Sequence, residues 1–181
     1  AFRITAQNAS AVADICRRLD GIPLAIELAA SRVRAIPAER IAERLSDRFR
    51  LLTSGDTTAL PRQQTLRALI DWSYDLLTEH ERVLFWRLAV FAGSFALEAA
   101  EATGAGGVID GTEALVLLTN LVEKSLVVLD TASGRYRLLD TVRQYAEERL
   151  AASGEADAVR KRHAEFYLVY VETAMPELFG P

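Results

Sequence analysis

Apolar side chains recur along this chain at helical spacing through most of its length. Val12, Ile15, Cys16 and Leu19 share one face and predict a helix over about residues 8–19. Asp20-Gly21 breaks it, and Pro23 suits the first turn of the next helix, where its missing N–H costs nothing. That helix, to about Arg34, is apolar nearly all round (Leu24, Ala25, Ile26, Leu28, Ala29, Ala30), which predicts a central, buried element. Pro37 opens a third helix with Ile41 and Leu45 inward and Arg40, Glu43 and Arg44 outward; a short piece over 47–52 is expected after it. The run Thr53-Ser54-Gly55-Asp56-Thr57-Thr58 reads as a loop and a domain boundary.

Beyond the loop, Leu66, Leu69, Ile70, Ser73 and Leu77 line one side of a helix predicted over about 63–77. Thr78 and Glu81 form a capping box, in which each side chain can satisfy the other's backbone donor. A helix through Phe91 follows, with Leu84, Phe85, Leu88 and Ala89 inward. A shorter one reaches Thr103. Another spans about 112–123, with Leu115, Leu118, Leu121 and Val122 inward. The period then changes. Leu126–Leu129 and Arg135–Leu138 read as two strands around a turn at 130–134. Three helices followed by a β-hairpin is the order of a winged-helix domain. Asp140 is a candidate N-cap for a helix carrying Val142, Tyr145, Ala146 and Leu150. A last helix, about 156–174, carries Val159, Phe166, Tyr167 and Tyr170.

The fold expected is therefore mainly α: a small helical bundle over 1–58, a winged helix with one hairpin over 59–142, and the first helices of a superhelical region over 143–181.

Composition narrows the chemistry. Half of the 181 residues are hydrophobic and the net charge is −4, a globular balance without the basic excess usual in nucleic-acid binders. One cysteine, Cys16, and two distant histidines, His80 and His163, offer neither a disulfide nor zinc-ligand spacing. No apolar run of membrane-spanning length is present, and a cytoplasmic location is expected. The sole methionine is Met175 and the chain stops abruptly at Pro181, which suggests a piece of a longer protein. Gly104, Gly106 and Gly107 precede no Lys-Ser or Lys-Thr, so no phosphate loop is formed; no nucleophile elbow or zinc-protease motif occurs, and the chain is not expected to be an enzyme on its own. Glu147 and Glu148 read as a solvated helix face, His80 as exposed and His163 as a packed histidine.

Four blocks of sequence, in order, carry a resemblance. They are 15–30, with Gly21-Ile22-Pro23-Leu24-Ala25; 65–77, with Asp71-Trp72-Ser73-Tyr74; Leu88-Ala89-Val90-Phe91-Ala92-Gly93; and Tyr136-Arg137-Leu138-Leu139-Asp140-Thr141-Val142-Arg143-Gln144-Tyr145-Ala146. Together they resemble the helical and winged-helix subdomains of the NB-ARC family, within the STAND class of signalling ATPases. The variety most similar is that of bacterial LuxR-type transcription regulators. The resemblance implies that Pro23, with Gly21, Ile22 and Leu24 around it, contacts the base of ADP or ATP. The nucleotide, with Mg, would be held by an upstream P-loop domain. The chain's partners would then be that domain and downstream helical repeats, with no membrane and no DNA contact by this segment. The family's M-H-D motif falls on Leu138-Leu139-Asp140, with leucine in the histidine's place, so direct phosphate sensing there is not implied; Asp140 and Arg143 remain candidates. A second reading is direct DNA binding by the winged helix. The candidate recognition helix, 112–124, carries two acids and one base, while Arg135 and Arg137 on the hairpin could offer weak contact. A third is a free-standing protein-interaction module.

Overall fold

The computed structural model describes the chain except residues 1, 20, 21, 53–60, 180 and 181; side chains at 46–52, 61–65, 111 and 174–179 also lie outside the description. Two compact units result, Ala1–Leu76 and Leu77–Pro181.

The first unit holds α1 (Ala9–Arg18), α2 (Pro23–Ser31) with a 3₁₀ turn over Arg32–Arg34, α3 (Ala38–Leu52) and α4 (Pro61–Asp75). α1 packs on α3, while α2 packs on α4. Ile15, Leu19, Ala25, Leu28, Ile41, Leu45, Leu69, Ile70 and Trp72 make the core. α3 is continuous where two pieces were expected. α2 is less central than its composition suggests: Ala25, Leu28 and Ala29 are buried, but Leu24 and Ile26 are only half-buried and Ala30 is exposed. Small alanines allow close packing on one side and leave the other open. α4, expected to begin the second domain, packs instead on α2 and α3 through Ala68, Leu69, Ile70 and Trp72. Its apolar face, not the loop before it, decides where the units divide.

The second unit runs α5 (Glu79–Arg87), a 3₁₀ turn over Leu88–Val90, α6 (Leu97–Gly104), a 3₁₀ turn over Gly111–Glu113, α7 (Ala114–Glu123), β1 (Val128–Asp130), β2 (Arg135–Arg137), α8 (Asp140–Ser153) and α9 (Ala156–Phe179). The Thr78–Glu81 capping box opens α5, with the Thr78 amide donating to Glu81 Oε2 at 2.8 Å and the Glu81 amide to Thr78 Oγ1 at 3.3 Å. The strands pair antiparallel, Leu129 opposite Tyr136. Phe95 bridges Tyr136 through two 2.8 Å backbone bonds and so adds a one-residue third strand. Phe91 stacks on Phe95 at 4.4 Å, and Phe95 on Tyr136 at 6.1 Å. This is a winged-helix arrangement of three helices and a hairpin, with α8 packed back on α5. Val142, Tyr145, Ala146 and Leu150 are all buried as their spacing predicted.

Three local expectations change. Leu126 and Val127 are buried but precede the ladder, because their amides both donate to the Leu121 carbonyl and close the end of α7. Asp140 is the first residue of α8, exposed, with Leu139 at the N-cap and no side-chain cap bond. On α7 the inward residues are Ala114, Leu117, Leu118 and Leu121, so Leu115, expected inside, lies outside at 45% exposure. Among the described residues no helix is long and apolar enough to cross a membrane.

Gly104 ends α6 at a close approach: a Cβ there would meet Leu84 Cδ1 at 2.5 Å, and Leu84 is fully buried. Gly104→Ala should destabilise the unit by about 1–2 kcal/mol, overpacking outweighing the better helix propensity of alanine. Gly93→Ala, with nothing within 4 Å of its Cβ, should stay within about 0.5 kcal/mol. Thermal melting of both variants checks the pair.

Candidate functional site: the winged-helix face and the segment around Pro23

In a winged helix used on DNA, the third helix enters the major groove and the hairpin lies along the backbone, so both need accessible cations. α7 presents Leu115, Val116 (61% exposed), Thr119 and Glu123 outward. The Thr119 hydroxyl donates to the Leu115 carbonyl at 2.8 Å, within its own helix. No Lys or Arg lies between Thr112 and Glu123. The base that follows, Lys124, pairs with Glu81, whose side chain is 2% exposed. Burial works to raise the Glu81 carboxyl, but Lys124 and the capping bonds from Thr78 outweigh it and hold the group below the ordinary range. At the other end, His80 Nδ1 lies 3.3 Å from Glu113 Oε2, both half-exposed.

The hairpin is also short of free cations. Arg135 donates from Nε to Ser94 Oγ at 2.9 Å and from Nη2 to the Ser94 carbonyl at 2.7 Å. It thereby staples the hairpin to the loop before α6. Arg137 is exposed beside Val128 in the ladder. The hairpin turn is organised by an acid: Asp130 accepts from the Ser133 hydroxyl at 2.6 Å and the Ala132 amide at 3.0 Å. Those bonds, the hydroxyl's first, keep its carboxyl below the ordinary range. Across residues 77–151 eleven Asp and Glu stand against seven Arg and Lys. The outward face of α7 is apolar, with Glu123 exposed at its end, and the domain as a whole is acidic.

The nucleotide candidates divide between the units. Ile22, Pro23 and Leu24 belong to the first, where Ile22 is the N-cap of α2 and Pro23 its exposed first residue; Gly21 lies outside the described residues. Asp140 and Arg143 belong to the second. There Arg143 pairs with Glu147 one turn on, and Asp140 is solvent-exposed. His163 packs between Phe91 and Tyr167, ring centroids 5.0 and 4.9 Å away, and desolvation holds its imidazole below the ordinary value. It is a packed histidine.

Sequence reading missed two buried arginines. Arg87 is 2% exposed and bonded on every side. Arg32, 6% exposed, donates from Nη2 to the Ser73 carbonyl at 3.3 Å. Each was detectable as a cation inside an apolar stripe: Leu84, Arg87, Leu88 and Phe91 in one helix, Ala25, Leu28, Ala29 and Arg32 in the other.

Residues 77–151 match the family model described as a winged helix-turn-helix domain. That span coincides with α5 to α8. A Mycobacterium tuberculosis (strain ATCC 25618 / H37Rv) protein named "Putative HTH-type transcriptional regulator" is 58% identical over 168 residues, 92% of this chain and 19% of its own length. A Mycobacterium bovis protein of the same name matches equally. A second M. tuberculosis protein, named only "Uncharacterized protein", is 49% identical over 165 residues, 90% of this chain and 42% of its own. The chain thus spans about a fifth of the length of the named regulators, and the similarity runs through both units.

If Arg135 serves as a staple, Arg135→Ala should cost about 0.5–1.5 kcal/mol of stability. Arg137→Ala should stay within about 0.5 kcal/mol. Urea melts of the two variants separate them; equal costs would remove the staple role.

Proposed function

We propose that this chain is a regulatory module of a transcription regulator, whose winged helix works by packing against protein. The observation that carries this reading is the outward face of α7, where Leu115 and Val116 stand with no Lys or Arg between Thr112 and Glu123. Apolar surface favours a dry protein contact. The net acidity of residues 77–151 opposes the approach of phosphates.

Direct duplex binding is the second reading. It is favoured by the family description over 77–151 and by the regulators' names. Arg137 is the exposed cation of the hairpin that it would use.

The finer proposal rests on the resemblance to NB-ARC subdomains: the packing partner is an upstream nucleotide-binding domain of the longer protein, and ADP or ATP lies between. The residues present fit part of that role. Pro23 is exposed, lacks an N–H, and is flanked by half-buried Ile22 and Leu24, which suits contact with a flat base. The phosphate side fits less well: Leu139 has no donor, and Arg143 is engaged by Glu147. This chain would therefore supply base contact and closure, while phosphates and Mg fall to the other domain. Exchange of nucleotide would bias a two-state equilibrium in which the winged helix packs or releases.

Pro23→Ala in the full-length protein tests this. Losing ring carbons from a base contact should cost about 1–2 kcal/mol, a roughly five- to thirtyfold faster loss of ADP. The melting temperature without nucleotide should change little, since alanine is tolerated at a first helical position. An unchanged ADP off-rate with a lowered melting temperature would make Pro23 a helix-start residue only.

A further inference from the structure

α9 packs chiefly on α6, through few buried side chains of its own. Among its described residues only Val159 is fully buried; the ring of His163 against Phe91 adds a partial contact. Farther along, Leu168, Val169, Tyr170 and Val171 are 52–62% exposed. Such limited apolar contact is a weak anchor for a long helix.

Polar contacts converge on the same junction. Gly154, at φ 78°, ends α8 and delivers Glu155 to Arg87. Arg87 Nε and Nη2 donate to Oε2 and Oε1 of Glu155 at 2.8 and 2.9 Å. Its Nη1 donates to the Gly104 and Gly106 carbonyls, both at 2.7 Å. One turn beyond Val159, Arg162 Nε donates to the Thr103 carbonyl at 3.1 Å. Two guanidinium groups therefore cover the Thr103 and Gly104 carbonyls at the end of α6, which carry the negative end of the helix dipole, and the Gly106 carbonyl of the loop beyond it. Glu155 is the counter-charge. Hydrogen bonds from Arg87 hold its carboxyl below the ordinary range. Its side chain is 37% exposed, so the network can be opened from solvent, whereas Arg87 at 2% cannot leave.

We propose that Arg87, Glu155 and Arg162 form a latch that fixes α9 to the end of α6, and that opening it frees α9 while α5, α6, α7 and the hairpin stay folded. Closed, the latch makes α9 move with the winged helix; open, it uncouples them. The inference stands apart from the choice between protein and DNA contact at α7.

Hydrogen–deuterium exchange on the whole chain tests it. Glu155→Gln removes the charge but keeps the shape. Amides of α9 over 157–167 should then exchange about ten- to hundredfold faster, while those of α5 and α7 change by less than about twofold. Arg162→Gln leaves the Arg87–Glu155 pair in place and should give a smaller rise in the same segment. It decides the matter if Glu155→Gln unfolds the whole unit. Unchanged α9 exchange in both variants would overturn the latch. So would a rise in α5 and α7 in step with α9 in Arg162→Gln, which would make the network part of one global fold.

Discussion

A guanidinium in the core must have its donors satisfied, and Arg87 shows what that demands. Four bonds, to two carbonyls and two carboxylate oxygens, surround a side chain that is 2% exposed. They bring together the end of α5, the glycine-bearing loop after α6 and the turn between α8 and α9. Removing the counter-charge from a buried pair costs about 3–5 kcal/mol, less here because Glu155 is partly in water. The loop conformation follows from the same demand: Gly106 and Gly107 adopt φ of 104° and 63°, and a Cβ on Gly107 would sit 3.4 Å from Arg87 Nη2. The winged helix and its trailing helix are thus ordered around one charge.

That use of arginine also explains the character of the surface. Arg87 and Arg162 face inward to α6 carbonyls, Arg135 is spent on Ser94, Lys124 on Glu81 and Arg143 on Glu147. Most of these cations are engaged within the unit, and Arg137 on the hairpin is left exposed. What α7 displays instead is Leu115 and Val116. The matched family description belongs to the fold over 77–151; the exposed apolar side chains of α7 lie within that span.

Much of this was legible in sequence. The capping box at Thr78, the order of helices and hairpin, and the buried face of α8 came from local chemistry and period, and each is found. What failed did so for physical reasons. The phase of α7 was misjudged because Leu115, Val116, Leu117 and Leu118 are consecutive and apolar, so period alone cannot tell which pair is inside. The edge of the first strand was misplaced because helix closure claimed two amides. The place of α4 depended on which apolar face received it, a long-range matter. Asp140 looked like a cap because of its residue type, but Leu139 took that position. Of the candidate site, the exposure of Pro23 is visible in the structure, whereas its ligand rests on resemblance.

The most direct test of the central claim is fluorescence anisotropy of the chain with a panel of labelled duplexes at near-physiological salt. Packing against protein predicts weak binding without sequence preference that disappears as salt rises, since few phosphates could be neutralised. Submicromolar, sequence-dependent binding that is lost in Arg137→Ala would contradict it and make the winged helix a DNA reader.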